Sequence, residues 1–186
     1  MLDSKLSELL KIEFINCLPE NNPFRGGYET LQHQFKHFLN LKYDFQYQLE
    51  LDYYLRSVLH DPKIEPLIIH VFCHSNQLGI MSDQSGQRLI MTWEAFVDIT
   101  NQINTARNNG LTIIVTGCES YNSITATSSS RAFIGYENDL HFSVAHSINS
   151  LLYSNYALKG CNIIDSAVLA SSKYPALMVK INRDSK

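Results

Sequence analysis

The chain has 186 residues, of which 45% are hydrophobic and 18% charged, and its formal net charge is −3 at pH 7. These values suit a compact globular chain, and we expect a single domain over residues 1–186. Lys and Arg residues are scattered along the chain, so nucleic-acid binding has no compositional support. No apolar stretch approaches the roughly 20 residues that cross a bilayer, and no signal peptide is recognisable. We therefore expect a cytoplasmic protein without a membrane partner.

The four cysteines, Cys17, Cys73, Cys118 and Cys161, are widely spaced along the chain. No Cys-x-x-Cys pair exists, so we expect no structural zinc site. Thiols stay reduced in the cytoplasm, whereas disulfides would require a secreted protein. The pattern therefore favours four free thiols.

Strand and helix patterns alternate in the N-terminal half. We predict a strand over residues 11–18, a turn-rich loop over 19–27, a helix over 28–39, a strand over 42–51 and a helix over 52–60. Residues 66–74 form an almost unbroken apolar run, typical of a central parallel strand that is buried on both faces.

The same alternation continues to the end of the chain. We predict a hairpin over residues 78–90 with Gly86 near its turn, a helix from an N-cap at Thr92 to about Thr105, and a buried strand over 111–115. A polar loop over 121–131, a short strand over 132–135, a helix over 141–158 ended by Gly160, a helix over 162–171 and a strand over 176–181 complete the chain. The pattern indicates a doubly wound α/β fold.

Two of the predicted central strands end in reactive residues. One strand runs into His74 and the other into Cys118. In open parallel sheets, functional groups collect at the carboxyl ends of the strands, so neighbouring strands would bring these two side chains together. The intervening segment suits a hairpin, a helix and a return strand.

An imidazole beside a thiol supports nucleophilic catalysis. The thiolate is the nucleophile, and a nearby histidine can take the thiol proton and later protonate a leaving amine. Gly117 leaves room for a sharp turn, after which the Cys118 amide could donate to an oxyanion. The alternative is structural, with Cys118 as a small buried hydrophobe and His74 as a hydrogen-bonded core residue.

Short motifs around both residues resemble those of caspase-like (clan CD) cysteine peptidases, especially the bacterial CHAT type. The stretch His70-Val71-Phe72-Cys73-His74-Ser75 is similar to their His-Ile-Ser-Gly-His-Gly motif, and Thr116-Gly117-Cys118-Glu119-Ser120 is similar to their Asn-Ala-Cys-Tyr-Ser motif. The strand at Ala132-Phe133-Ile134-Gly135-Tyr136 and the segments beginning at Phe142 and at Asp165 follow in the family's order. The resemblance covers residues 67–172.

The resemblance implies a three-layer caspase-like α/β fold with a mostly parallel central sheet of about six strands. It also implies a His74–Cys118 dyad that uses neither a metal nor a cofactor. The oxyanion would be bound by the backbone amides of Cys118 and of the residue after the histidine. That residue is glycine in the relatives and Ser75 in this chain.

The family also suggests a substrate pocket. Its residue two positions before the cysteine, here Thr116, lines the pocket for the side chain that precedes the scissile bond. Glu119 either faces that pocket, where it would favour basic substrates, or faces solvent as most surface carboxylates do.

The resemblance therefore predicts a cysteine endopeptidase that cleaves a protein substrate through an acyl-enzyme. Standalone bacterial relatives of this size act as effectors of antiviral defence or cleave a partner protein encoded nearby, and a regulatory partner would fit this role. The main alternative is a catalytically inactive, caspase-like protein-binding module, which Ser75 favours. A flavodoxin-like ligand binder is a third alternative.

The remaining candidates favour structural roles. Cys73 should point to the opposite side of its strand from His74, into the core, and His70 should pack behind the site. His33 and His37 have the i, i+4 spacing of a metal pair, but without the accompanying glutamate we expect a solvated or packing pair.

Overall fold

A computed structural model describes residues 12–19, 22–35, 41–44, 48–61, 68–82, 88–121 and 128–182 of the chain. The strands are β1 (Ile12–Asn16), β2 (Leu41–Asp44), β3 (Ile68–Phe72), β4 (His74–Asn76), β5 (Gly79–Met81), β6 (Leu89–Thr92), β7 (Thr112–Thr116), β8 (Ala132–Tyr136) and β9 (Leu177–Ile181). The α-helices are α1 (Pro23–Phe35), α2 (Gln48–His60), α3 (Trp93–Ala106), α4 (Phe142–Tyr153) and α5 (Ile163–Lys173), with a π-helical turn over Ser154–Leu158 after α4.

Six strands form the central sheet in the order β2-β1-β3-β7-β8-β9. The first five strands in this order are parallel, and β9 runs antiparallel to β8 at the edge. The predicted mostly parallel sheet of about six strands is confirmed. The order changes direction between β1 and β3, and such a switch point opens a crevice at the carboxyl ends of the strands.

Helices cover both faces of this sheet. One face packs against α1, α4 and α5 through buried residues that include Tyr28, Ile148 and Ala167. The opposite face packs against α2 and α3 through residues that include Leu55 and Ile103. Every residue of β3 and β7 is buried, as strands covered on both sides require. The fold is therefore a three-layer α/β sandwich.

A small antiparallel sheet, β4-β5-β6, follows β3 directly. It contains the predicted hairpin, although Gly86 lies outside the described residues. The Trp93 indole N–H donates to the carbonyl of Asn76 at 2.7 Å and ties the hairpin to α3. The predicted N-cap at Thr92 is confirmed, because its hydroxyl accepts from the amide of Ala95.

Two predictions for the N-terminal half are wrong in part. The strand predicted over residues 42–51 ends at Asp44, and α2 begins at Gln48. Leu51, Leu55 and Val58 are buried at helical spacing, so the apolar stripe of α2 outweighs the local alternation.

The loop predicted over residues 19–27 also gives way to α1, which begins at Pro23. Proline suits the first turn of a helix because that turn needs no N–H there, and α1 continues through Gly26. Tyr28 and Leu31, which are buried on α1, then fix the helix on the sheet.

The helix predicted over residues 141–158 is interrupted. Regular α4 ends at Tyr153, and the π-helical turn continues to Leu158. Gly160 follows with a φ of +68°, a left-handed conformation that glycine adopts without strain. Asn162 then caps α5 by accepting from the amide of Asp165. Most of the polar loop predicted over 121–131 lies outside the described residues. Across the described ranges, no helix has the length and apolar character of a membrane span.

Candidate active site

The carboxyl ends of β3 and β7 lie side by side. Phe72 pairs in register with Thr116. One further backbone bond extends this pairing, because the Cys73 amide donates to the Thr116 carbonyl at 3.1 Å. His74 and Cys118 each come two residues after these paired positions. The structure therefore brings the two predicted catalytic residues to adjacent ends of two neighbouring strands.

A third residue, Asn22, joins His74 at this edge. The Asn22 side-chain amide is hydrogen-bonded to His74 Nε2. Asn22 follows β1, which lies on the other side of β3 from β7, and its side chain is buried with the residue only 7% exposed. The contact falls at the switch point of the sheet. Sequence reasoning missed Asn22; an asparagine directly before a proline signals a helix start, but not this contact.

The Asn22 side chain sets the proton position on the His74 ring. A carboxamide has a donor face and an acceptor face. In the structure the NH₂ group faces Nε2, so Asn22 donates to Nε2 and the ring proton lies on Nδ1. If the carboxamide turned over, its carbonyl oxygen would face Nε2, the proton would lie on Nε2, and Nδ1 would become the basic nitrogen. The second arrangement is the one that a general base requires.

Cys118 lies in a tight turn held by the loop after β8. The Leu140 amide donates to the Cys118 sulfur at 3.2 Å, and the Glu119 amide donates to the Asn138 carbonyl at 3.3 Å. Glu119 has a φ of +53°, an unusual value for a residue other than glycine. Such strained positions persist where surrounding contacts enforce them, and here those contacts present the thiol at the strand end.

The Cys118 thiol is half-buried. Burial raises its pKa, the hydrogen bond from the Leu140 amide lowers it, and the nearby carboxylates of Asp139 and Glu119 raise it again. The net pKa lies above the ordinary cysteine value. The resting site therefore holds a thiol rather than a thiolate, and reaction requires a base that takes its proton.

Ser75 links the hairpin to the cysteine turn. Its hydroxyl donates to the Cys118 carbonyl at 2.5 Å. Gly117 makes this approach possible, because a Cβ there would collide with the Ser75 hydroxyl and lie 3.0 Å from the Cys73 sulfur. The Ser75 hydroxyl thus holds the cysteine turn against the hairpin. The prediction that the Ser75 backbone amide binds an oxyanion stays a prediction.

Thr116 belongs to a buried polar network behind the site. Its hydroxyl is 2.9 Å from His70 Nε2 and accepts from the Asn149 amide at 3.0 Å, while His70 Nδ1 is 2.7 Å from the Tyr153 hydroxyl. Burial lowers the pKa of His70 to about 3, so its ring is neutral at all ordinary pH values. Thr116 is only 5% exposed in this state. Its predicted contact with substrate stays a prediction and would require the network to open.

The other candidates occupy distinct environments. Cys73 packs in the core on the α2–α3 side, as predicted, and burial raises the pKa of its thiol to about 12. Glu119 is partly exposed beside Cys118. His33 is exposed on α1, and its proposed partner His37 lies outside the described residues. Across the described part of the chain, no three His, Cys, Asp or Glu side chains cluster as metal ligands.

Comparison with known proteins adds little to this geometry. No protein-family model matches the sequence, and no curated protein matches it. Among solved structures, the chain is similar to ureidoglycine-glyoxylate aminotransferase from Bacillus subtilis, with 12% identity and a TM-score of 0.37. The match covers 93% of this chain and 50% of the aminotransferase chain, so this chain spans about half the length of that neighbour. A likeness at this level carries no functional information.

Proposed function

We propose that the chain is a cysteine endopeptidase of the caspase-like type, with Cys118 as nucleophile and His74 as general base. The observation that carries the proposal is the in-register pairing of β3 and β7, which sets these residues at adjacent strand ends. The contact of Asn22 with His74 supports it, because orienting partners of this kind are common for catalytic histidines.

The first half of the reaction would transfer an acyl group to the enzyme. His74 takes the Cys118 proton as the sulfur attacks the carbonyl carbon of the scissile peptide bond. The carbonyl electron pair moves onto oxygen and then returns, which breaks the C–N bond. The leaving amine takes the proton from His74, and the substrate acyl group remains on Cys118 as a thioester.

The second half would release that acyl group. Water attacks the thioester after giving a proton to His74, and the Cys118 sulfur leaves and regains its proton. In both halves the oxyanion would be bound by the backbone amides of Cys118 and Ser75. The Ser75 hydroxyl, by holding the Cys118 carbonyl, would keep these two amides at a fixed separation.

Asn22 would act as a positioning residue. The structure places its NH₂ group at Nε2. Turning the carboxamide over would bring its carbonyl oxygen to Nε2, hold the ring proton there and leave Nδ1 as the nitrogen that exchanges a proton with the thiol. The raised pKa of Cys118 makes this role necessary, since the thiol does not ionise by itself near neutral pH.

Alkylation with iodoacetamide at pH 7, followed by peptide mass spectrometry, tests the dyad. Cys161 is also half-buried and serves as a reference within the same chain. We expect Cys118 to react faster than Cys161 in the unmodified protein. The His74→Ala variant should slow the reaction of Cys118 and leave that of Cys161 unchanged.

A catalytically inactive protein-binding module is the second candidate. Two features favour it: the surroundings of Cys118, which raise the pKa of its thiol, and the serine at position 75. Under this alternative, Cys118 would react no faster than Cys161, and His74→Ala would change neither rate. The identity of the protein substrate, any regulatory partner and a role in antiviral defence rest on the family resemblance alone.

A further inference from the structure

A cavity of about 270 Å³ lies at the amino ends of the central strands, whereas the cysteine site lies at their carboxyl ends. The first residues of two central strands, Ile68 and Thr112, line it together with Arg131, which directly precedes β8. Tyr156 from the π-helical turn and the start of α5 form the other wall. Because a strand rises about 3.3 Å per residue, the five-residue strand β7 separates this cavity from Cys118 by roughly 15 Å.

Three kinds of hydrogen-bond donor meet in this cavity. Within the described ranges, the guanidinium of the exposed Arg131 has no hydrogen-bond or ion-pair partner. Thr112 is only 2% exposed, and its hydroxyl likewise has no partner in the described part of the chain. Ile163 and Ile164 belong to the first turn of α5, whose amides have no partner within the helix. The positive end of the α5 dipole adds to the charge of Arg131.

The Thr112 hydroxyl is the most informative of these features. It belongs to a residue that is only 2% exposed and lies on the α4–α5 side of the sheet. Thr112 lines the cavity, so a ligand there could accept a hydrogen bond from this hydroxyl. The donors present at this edge select an acceptor group that is negatively charged.

Apart from Gly110 and the N-cap residue Asn162, the remaining lining is largely apolar. Ile68, Tyr156 and Ile163 are all buried and belong to the same core cluster. At about 30 Å³ for each water molecule, the cavity has room for a ligand of about ten non-hydrogen atoms. Asp165, the acidic residue in the first turn of α5, does not line the cavity, and its carboxylate is bonded to the side-chain amide of Asn162.

We propose that this cavity binds a small organic anion, with its carboxylate or phosphate group at Arg131, Thr112 and the start of α5, and its apolar body against Ile68 and Tyr156. The site is independent of the Cys118 chemistry. A carboxylate and a phosphate would use the same donors, and the choice of probes separates them.

Titration of the full 186-residue chain with benzoate, phenyl phosphate and benzyl alcohol, followed by two-dimensional NMR, tests the proposal. At least one of the two anions should shift the amide signals of Thr112, Ile163 and Ile164 saturably, and benzyl alcohol should bind at least tenfold more weakly. Arg131→Gln should weaken anion binding about tenfold, as expected for loss of a charge-assisted hydrogen bond. Thr112→Val should weaken it about threefold.

Lys173→Gln at the far end of α5 is the matched control, since it removes the same charge from an exposed position. It should leave binding unchanged. A stronger response to phenyl phosphate than to benzoate assigns a phosphate ligand, and the reverse order assigns a carboxylate. The proposal is overturned if neither anion shifts these signals, if benzyl alcohol binds equally well, or if Arg131→Gln and Lys173→Gln behave alike.

Discussion

His70 and His74 lie four residues apart at the end of the same strand segment, yet their surroundings differ completely. His70 is fully buried, and both of its ring nitrogens are engaged by hydroxyl groups of Thr116 and Tyr153. His74 is half-buried and bonded to Asn22 at the switch point of the sheet. The comparison teaches that residue type and strand position do not define a catalytic base; the base must keep access to solvent and to a proton donor.

Removing each histidine should give opposite phenotypes, and this is the largest expected effect. His74→Ala should lower the rate of Cys118 acylation by a peptidyl acyloxymethyl ketone by about 10²- to 10⁴-fold, because general-base catalysis is lost. Its melting temperature should change little. His70→Gln should instead lower the melting temperature and largely preserve acylation in the fraction that stays folded. If folded His70→Gln lost acylation while His74→Ala kept it, the two histidines would have the reverse roles.

The proposed orienting contact should have an intermediate effect on rate. Asn22→Ala removes the Asn22 contact from His74 and should slow Cys118 acylation roughly ten- to hundredfold, corresponding to about 1–3 kcal/mol. A structural role alone would lower stability without moving the pH profile, so the pH dependence of the rate is the deciding measurement. Asn22→Asp should restore much of the rate and shift its rise to higher pH, because a carboxylate stabilises the imidazolium and the neutral ring is the form that acts as a base.

The buried network makes His70 a source of pH-dependent stability. The unfolded chain binds a proton on this residue near the ordinary pKa of 6.5, whereas the folded chain does so only at about 3. Its contribution to stability is therefore complete above pH 6.5 and is lost progressively as pH falls towards 3. Urea unfolding at pH 7, 5 and 4 should show this loss, and His70→Gln should flatten the dependence.

Tyr153→Phe provides a gentler perturbation of the same network. It removes the hydroxyl at His70 Nδ1 while keeping the ring, and should cost about 1–3 kcal/mol in unfolding free energy. His33→Gln, at an exposed position on α1, is the control and should leave both stability and its pH dependence nearly unchanged. Equal behaviour of the two variants would contradict the buried network.

The close approach of the hairpin to the cysteine turn can be tested at Gly117. Gly117→Ala should destabilise the fold by about 1–3 kcal/mol, because the new Cβ collides with the Ser75 hydroxyl. Adding Ser75→Gly should recover part of that stability, and the double-mutant cycle measures the coupling. Additive effects of the two substitutions would show that these residues do not interact.

The smallest expected effect concerns the carboxylates beside Cys118. Asp139→Asn and Glu119→Gln each remove a negative charge that raises the thiol pKa, so each should speed iodoacetamide alkylation of Cys118 a few-fold at pH 8. In every variant the rate should rise with pH as the thiol ionises. Asp165→Asn on α5, away from this turn, should have no effect.

The sequence was sufficient to predict the central strands and the two residues that follow them, because β3 and β7 are continuous apolar runs. It was insufficient where two periodicities overlap. Leu51 fits both the strand alternation of residues 42–51 and the buried stripe of α2, and packing of α2 on the sheet decides between them. The residues of β9 likewise do not reveal that this strand runs antiparallel to β8.

The contacts of the site that the sequence did not predict join residues far apart along the chain. Asn22 meets His74 only because β1 lies beside β3, and Leu140 meets Cys118 only because the loop after β8 folds back over the turn. No local pattern around either residue contains this information. The hydrogen bond from Ser75 to the Cys118 carbonyl was likewise not predictable, since the resemblance to caspase-like peptidases presents Ser75 only as a departure from glycine.

A crystal structure of the chain inactivated by a peptidyl acyloxymethyl ketone would test the dyad most directly. We predict a thioether at Cys118, the inhibitor's carbonyl oxygen within hydrogen-bond distance of the Cys118 and Ser75 amides, and the His74 ring in contact with the same adduct. An unmodified Cys118 after prolonged exposure, or an adduct whose oxygen meets neither amide while His74 stays apart, would contradict the account.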